Sequence, residues 1–213
     1  MKPYYQHAGI TIFHGDCREI LPSLEFDLIV SDPQYGIDHP TDYSSRGRSV
    51  LARCNDYPRV NGDGEPFDPS FIMNLNKPTC LWGANHYASR LPDASGWLVW
   101  DKFRGQDLDQ STAELAWTNF VKGVRVFRHR WDGFLRDSEQ GFNVHPTQKP
   151  VTLYTWILGL KWTPAGTVVD THMGSGPLLR AAMDLGRQAI GIEIEEKYCE
   201  IAARRLQQEV FAL

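Results

Sequence analysis

The chain has 213 residues, of which 42% are hydrophobic and 12% aromatic, and its formal net charge is −4. This composition predicts one compact domain over residues 1–213 and argues against disorder. The negative charge excludes a surface that attracts nucleic acid everywhere. Since no apolar run approaches the roughly 18 residues of a membrane span and no signal peptide is recognisable, we expect a soluble, cytoplasmic protein with no membrane partner.

The cysteine spacing predicts neither a disulfide framework nor a metal site, because Cys17, Cys54, Cys80 and Cys199 form no CxxC pair. Basic residues are concentrated within residues 46–59 and 122–136. Phosphate contacts and a solvated surface explain such groups equally well.

The first predicted elements are two strands joined by a short helix. Residues 10–13 are apolar and β-branched, and residues 26–31, FDLIVS, form the continuous apolar run of a buried parallel strand. Between them, four apolar residues have the spacing of an amphipathic helix: Cys17, Ile20, Leu21 and Leu24.

Polar residues follow the second strand directly, in the order Asp32, Pro33, Gln34, Tyr35 and Gly36. Open α/β sheets bind ligands at the carboxyl ends of their strands, so this segment is a candidate site. An ordinary Asp-Pro turn with a packed tyrosine is the alternative interpretation.

The middle of the chain has long irregular segments between short strands. Residues 37–77 are predicted to be a loop with pattern only at 71–75, and loops of this length are often functional. Residues 79–82 and 97–100 are predicted strands with a helical crossover between them. Residues 114–117 and 124–127 alternate, which predicts an antiparallel pair at the sheet edge.

A helix is predicted after the segment HPTQKP, with its core face formed by Leu153, Trp156, Ile157 and Leu160. Residues 167–206 then predict a strand, a glycine turn, a helix, a second strand and a last helix, which together are a βαβα unit of a parallel sheet.

The glycine turn has the features of a ligand-binding turn. Gly174 and Gly176 allow close approach of backbone to a ligand, and Pro177 suits the first turn of a helix. Glu193 ends the next strand about 20 residues later, where an acid can accept hydrogen bonds from ribose hydroxyls. Tight strand-to-helix packing and a helix N-cap acid are the alternative explanations.

Three segments of the chain resemble the amino-group DNA methyltransferases, in the permuted, beta-type order of the N6-adenine/N4-cytosine family. The run DTHMGSGP resembles their S-adenosylmethionine-binding turn, with Thr171, His172 and Pro177 where Pro, Phe and Thr are usual. The run SDPQYG resembles their catalytic Asp-Pro-Pro-Tyr motif, with Gln34 in place of the second proline. The preceding HGD and the later HPTQKP resemble two further cofactor-contacting segments.

The resemblance implies a Rossmann-like α/β methyltransferase fold with a mostly parallel central sheet, helices on both faces and an antiparallel edge strand. It implies the catalytic residues Asp32, Pro33 and Tyr35. It implies cofactor contacts from Asp16, Asp32, His145, Thr147, Lys149, Asp170, Met173, Gly174, Ser175, Gly176 and Glu193. A homodimer is expected from the same resemblance.

The chemistry explains these residue types, since an exocyclic amine is a poor nucleophile until its lone pair is presented. Asp32 and the Pro33 carbonyl would each accept one amine N–H, and Tyr35 would stack on a flipped base. We therefore predict an S-adenosylmethionine-dependent DNA methyltransferase that favours adenine N6, with DNA contacts from residues 37–77 and 103–143. The alternatives are a cytosine-N4 enzyme, an RNA or small-molecule methyltransferase, and a DNA-binding pseudoenzyme.

Overall fold

The computed structural model describes residues 2–38, 62–105, 111–132, 135–139 and 148–207. The strands are β1 (Tyr5–His7), β2 (Ile10–His14), β3 (Leu28–Ser31), β4 (Thr79–Trp82), β5 (Gly96–Asp101), β6 (Ala113–Thr118), β7 (Val124–Arg128), β8 (Trp131–Asp132), β9 (Leu135–Arg136), β10 (Val168–Asp170) and β11 (Ala189–Glu193). The helices are α1 (Cys17–Ile20), α2 (Ser70–Met73), α3 (Val151–Leu158), α4 (Pro177–Asp184) and α5 (Glu196–Gln207). Among these helices, none has the length and apolar character to span a membrane.

The main sheet has nine strands in the order β1-β2-β11-β10-β3-β4-β6-β5-β7. Its central strands, from β2 to β4 in that order, are parallel, and β1 pairs antiparallel at the edge beside β2. The predicted fold class is therefore confirmed. The strand before Asp32 and the strand before the glycine turn, β3 and β10, are direct neighbours, with Val168 opposite Leu28.

The predicted antiparallel pair at the sheet edge is wrong in its pairing. β6 and β7 both exist, but β5 lies between them, antiparallel to β6 and parallel to β7. β6 is thus an interior strand that also pairs with β4. Alternation along a strand reports which face is buried and contains no information about which strand lies beside it.

The predicted helical crossover after β4 is two short 3-10 turns, Ala84–His86 and Ala88–Arg90. In α3 the predicted core face is partly wrong, because Tyr154 and Leu158 are buried in place of Trp156 and Leu160.

Two layers of buried side chains cover the two faces of the sheet, as the alternating direction of strand side chains requires. The first layer packs against α3, α4 and α5, and it contains Val30, Trp82 and Leu178. The second layer packs against α1 and α2, and it contains Ile29 and Leu81. Both faces of the central strands are therefore covered, which leaves the strand ends as the accessible edge.

Candidate active site

Two motif-bearing loops meet at the carboxyl edge of the sheet. β3 and β10 run parallel side by side, so the loop that begins at Asp32 and the loop that contains Gly174 leave the sheet at the same edge. β11 runs beside β10 and brings Glu193 to that edge as well. The sheet order thus brings together segments that are more than 130 residues apart in the sequence.

Asp32 is paired with a lysine from a distant part of the chain. The Tyr35 hydroxyl donates to Asp32 Oδ1 at 2.7 Å, and the Lys149 ammonium donates to Asp32 Oδ2. The same ammonium lies 3.1 Å from Glu114 Oε2 and donates to the Tyr35 hydroxyl at 3.0 Å. Glu114 Oε1 in turn accepts from Lys102. We call Asp32, Glu114, Lys102 and Lys149 the charge cluster.

Burial and charge act in opposite directions on the pKa values of this cluster. Burial raises the pKa of Asp32, and although the Lys149 ammonium lowers it, the pKa stays above its usual value. Burial opposes ionisation of Glu114 too, but Lys149 and Lys102 outweigh it and hold the pKa at about 2. Burial lowers the pKa of Lys149, but Asp32 and Glu114 raise it above its usual value. Lys149 is therefore a cation at neutral pH.

The Tyr35 ring is held against the turn that follows β4. A Cβ placed on Gly83 would lie 1.9 Å from Tyr35 Cε1, so only glycine fits beneath the ring at this position. Gly83 also has a φ of 69°, which favours glycine. The exposed His86 imidazole stacks on Tyr35, with ring centroids 4.9 Å apart and 13° between the planes.

Asp63 fixes the backbone of the loop that contains Tyr35. Its Oδ1 accepts from the backbone N–H groups of Tyr35 at 3.0 Å, Gly36 at 2.8 Å and Ile37 at 3.4 Å. The side chain of Gln34 packs at Gly62, beside Asp63. A proline at position 34 would restrain the loop through its fixed φ. Here three hydrogen bonds to one buried carboxylate supply a restraint instead.

The glycine turn is joined to the end of β11. Gly174 and Gly176 have φ values of 51° and 71°. The Gly174 N–H donates to Glu193 Oε2 at 2.9 Å, and the Glu195 N–H donates to Oε1 at 2.9 Å. Burial raises the pKa of Glu193, while these backbone N–H groups lower it. The carboxylate is thereby fixed beside the turn, with lone pairs left for further donors.

A chain of hydrogen bonds connects the glycine turn with β3. The Thr171 hydroxyl donates to Ser31 at 2.8 Å, and the Ser31 hydroxyl donates to Asp170 Oδ1 at 3.0 Å. His172 Nδ1 lies 2.9 Å from the Thr171 hydroxyl. Burial raises the pKa of Asp170 to about 7 and lowers the pKa of His172 to about 4. Thr171 and His172, which depart from the family pattern, are thus members of one polar network.

The segment before α3 contacts both loops. Gln148 Oε1 accepts from the Ser175 hydroxyl at 3.4 Å, while the next residue, Lys149, contacts Asp32. His145 and Thr147, which are predicted cofactor contacts, lie outside the described residues. The cofactor role of Lys149 stays a prediction.

Two other predicted cofactor residues have identified contacts. Asp16 lies near Glu193, because the N–H of the preceding residue, Gly15, donates to the Glu193 carbonyl at 2.9 Å. The Asp16 carboxylate caps α1 and pairs with Arg18. Met173 is buried and packs so closely on Gly191 that a Cβ there would lie 2.4 Å from its sulfur.

Four residues of the site have no motif in the sequence. They are Asp63, His86, Lys102 and Glu114. Lys102 directly follows the carboxyl end of β5, where polar residues are candidates for a site, and Glu114 is a charge inside an apolar strand. Asp63 and His86 lie in irregular segments with no pattern that indicates a role.

The fold and the meeting of these loops define a Rossmann-like α/β enzyme of the methyltransferase type. The sequence profile of the N6_N4_Mtase family, described as DNA methylase, matches residues 73–204. The chain therefore belongs to this family of DNA methylases, whose methyl donor is S-adenosylmethionine, as the motifs imply.

Individual relatives match almost the whole chain. The "Type II methyltransferase M2.LlaDCHI" of Lactococcus lactis subsp. cremoris is 23% identical over 97% of this chain and 93% of its own length. Among solved structures, the cytosine-N4-specific PvuII DNA methyltransferase has a TM-score of 0.65 at 14% identity, with 99% of this chain and 91% of that chain covered. The M1.HpyAVI–SAM complex has a TM-score of 0.53 at 22% identity, with 92% and 99% covered. These two likenesses concern the fold.

Proposed function

We propose that this protein transfers a methyl group from S-adenosylmethionine to an exocyclic amine of a DNA base, with adenine N6 favoured over cytosine N4. The observation that carries the proposal is the position of Asp32, directly after β3, the strand adjacent to the one that leads into the glycine turn. An amine held by Asp32 would therefore lie beside the cofactor. Aspartate at the first motif position favours adenine, although the loose correlation leaves cytosine as the second candidate.

The residues around the glycine turn fit the proposed cofactor. Glu193 is suited to the ribose hydroxyls, because two backbone N–H groups fix its carboxylate. Gly174 is half-buried and leaves the turn before α4 without a side chain at that position. When bound, S-adenosylmethionine would supply an electrophilic methyl group on a sulfonium and leave as the thioether S-adenosylhomocysteine, and the methylated amine would release one proton to solvent.

The protein's own residues prepare the amine. Asp32 accepts one amine N–H and the Pro33 carbonyl accepts the other, which exposes the nitrogen lone pair and stabilises the positive charge that develops there. The Tyr35 hydroxyl orients Asp32. The Tyr35 ring provides an aromatic surface for the base when the exposed His86 imidazole, which stacks on it in the structure, moves away. Lys149 does not compete as a nucleophile, because its raised pKa keeps it protonated and without a lone pair.

The target base must leave the duplex to reach this edge of the sheet. We propose that segments 37–77 and 103–143 contact DNA, with exposed arginines such as Arg128 and Arg130 near phosphates. We propose action in the cytoplasm of a bacterial or phage-infected cell, because the relative from Lactococcus lactis is bacterial. A homodimer stays a prediction from the family resemblance.

Incubation of the purified protein with methyl-tritiated S-adenosylmethionine and unmethylated mixed-sequence duplex DNA tests this function. We expect N6-methyladenine in the digested nucleosides. N4-methylcytosine would keep the reaction and change the base. If the label enters only RNA added to the same reaction, the substrate is RNA and not DNA.

A second measurement, calorimetry with S-adenosylmethionine alone, separates an inactive enzyme from a protein without a cofactor. Absence of both binding and transfer would favour the DNA-binding pseudoenzyme. Cofactor binding without transfer to any nucleic acid would contradict the assigned substrate class.

A further inference from the structure

Glu114 lies at the centre of the charge cluster although no motif contains it. It projects from β6, an interior strand, and its side chain is 21% exposed. Its two oxygens contact different cations, since Oε1 accepts from Lys102 and Oε2 lies 3.1 Å from Lys149. Removing a carboxylate from water in this way is unfavourable unless its partners compensate. The half-buried position of Glu114 therefore depends on the two lysines.

The proposed reaction places two opposing demands on Asp32. The carboxylate must stay ionised in an enclosed site, and the adjacent Lys149 ammonium favours that state. The carboxylate must also direct its charge toward the substrate amine. The same ammonium opposes this, because it occupies Oδ2 and repels the positive charge that develops on the amine.

The contacts of Lys149 show how both demands are met. Its ammonium has three acceptors, namely Asp32, Glu114 and the Tyr35 hydroxyl. Two of the three remain when Asp32 turns its lone pairs to a substrate. The side chain is 3% exposed, so it has no alternative partner in bulk water.

We infer that Glu114 is a positioning residue for methyl transfer, which neutralises Lys149 so that Asp32 can bind the substrate amine. Glu114 acts through Lys149 and does not touch the substrate. As the amine approaches Asp32, Lys149 moves toward Glu114, an acceptor that it already contacts. This role rests on the proposed function.

The Glu114→Gln variant tests the role. Without the carboxylate, Lys149 binds Asp32 more tightly and competes with the amine, so we expect kcat to fall on the order of a hundredfold. Affinity for S-adenosylmethionine and the KM for DNA should change by no more than a few fold, because neither is bound by Glu114. Glu200→Gln removes the same charge from an exposed ion pair on α5 and serves as the matched control.

The pH profile separates positioning from general damage. Loss of Glu114 removes a negative charge that raises the pKa of Asp32, so the acid limb of kcat should move to lower pH. Lys149→Met removes the cation that lowers the pKa of Asp32, so the acid limb of kcat should move to higher pH. Besides Glu114 and the two lysines, the groups that face Asp32 are Tyr35, Tyr87, Tyr154, Cys80 and Asp170, and all of them are present in both variants.

A kcat for Glu114→Gln within a few fold of the unchanged protein would overturn the inference, and so would an acid limb that moves to higher pH. If circular dichroism shows that this variant does not fold, Glu114→Asp replaces it, because the shorter side chain retains the charge and withdraws it from Lys149. A lowered kcat with an unmoved acid limb is then expected, and an unchanged kcat would overturn the role. Absence of transfer by the unchanged protein would instead contradict the proposed function.

Discussion

The proposed cofactor side of the site, at the glycine turn, and its proposed catalytic side, at Asp32, are built from residues at very different sequence distances. On the cofactor side, the bond from Gly174 to Glu193 spans 19 residues, and the bond from Glu195 to Glu193 spans two. On the catalytic side, Asp32 is bound by Lys149, 117 residues away, and Tyr35 contacts Glu114, 79 residues away.

This difference shows why the two sides depend on the fold to different degrees. One βαβα unit, which is local in sequence, contains the glycine turn and Glu193. The charge on Asp32 depends on residues after β5, within β6 and before α3, and only the complete sheet brings them together. Substitutions on the two sides should therefore separate cofactor binding from catalysis.

Asp32→Ala should have the largest effect and should be confined to the catalytic side. Loss of the acceptor for the amine is expected to lower kcat by at least about a hundredfold, the scale for removing one preorganised electrostatic group. Calorimetric affinity for S-adenosylmethionine should stay within a few fold. Asp93→Ala, at an exposed position, is the control, and unchanged turnover in Asp32→Ala would remove Asp32 from catalysis.

Glu193→Ala should give the reciprocal result. Loss of charged hydrogen bonds to the ribose is expected to weaken cofactor binding by about 1.5–3 kcal/mol. Calorimetry measures this change, and kcat at saturating cofactor should fall much less. Glu196→Ala, at an exposed position three residues later, is the matched control. Equal affinities of the two variants would show that Glu193 does not hold the cofactor.

Asp63→Ala tests whether the catalytic loop needs its restraint. We expect kcat to fall on the order of tenfold, because Tyr35 loses its fixed backbone position and its hydroxyl then orients Asp32 less well. Adding Gln34→Pro to this variant should restore much of the loss, since proline fixes φ in the same loop. Steady-state kinetics of the two single variants and the double variant measure this coupling. Additive losses would mean that Asp63 acts in some other way.

Asp170→Asn should have the smallest effect, and this effect is on the free energy of unfolding. Asp170 lies between the two sides of the site, where it accepts a hydrogen bond from Ser31. Because the folded-state pKa of Asp170 is raised to about 7 from 3.8, its burial destabilises the fold increasingly as pH rises from about 4 to 7. Asparagine keeps the acceptor for Ser31 and removes this dependence. The gain in unfolding free energy should therefore be larger at pH 8 than at pH 4.

Urea denaturation at the two pH values measures this change. The exposed Asp184→Asn substitution in α4 is the control. An equal gain for Asp170→Asn at both pH values would show that folding does not raise the pKa of Asp170.

The predictable parts of the fold were those encoded by local pattern. Buried runs such as 26–31 predicted their strands, and the glycine turn with Glu193 predicted the βαβα unit. The pairing of β6 with β4 and β5 was not predictable, because the alternation of its side chains is compatible with several neighbours. The roles of Asp63 and His86 were missed for a related reason, since neither residue belongs to a periodic segment.

The sequence by itself determined the βαβα unit with its glycine turn and the presence of Asp32 directly after a strand, because short-range spacing is sufficient for glycine turns and strand termini. The family followed from the resemblance of its motifs. Only the tertiary structure decided the electrostatic state of Asp32. Charge interactions depend on distances in space, and Lys149, Glu114 and Lys102 approach Asp32 only after the strands have paired.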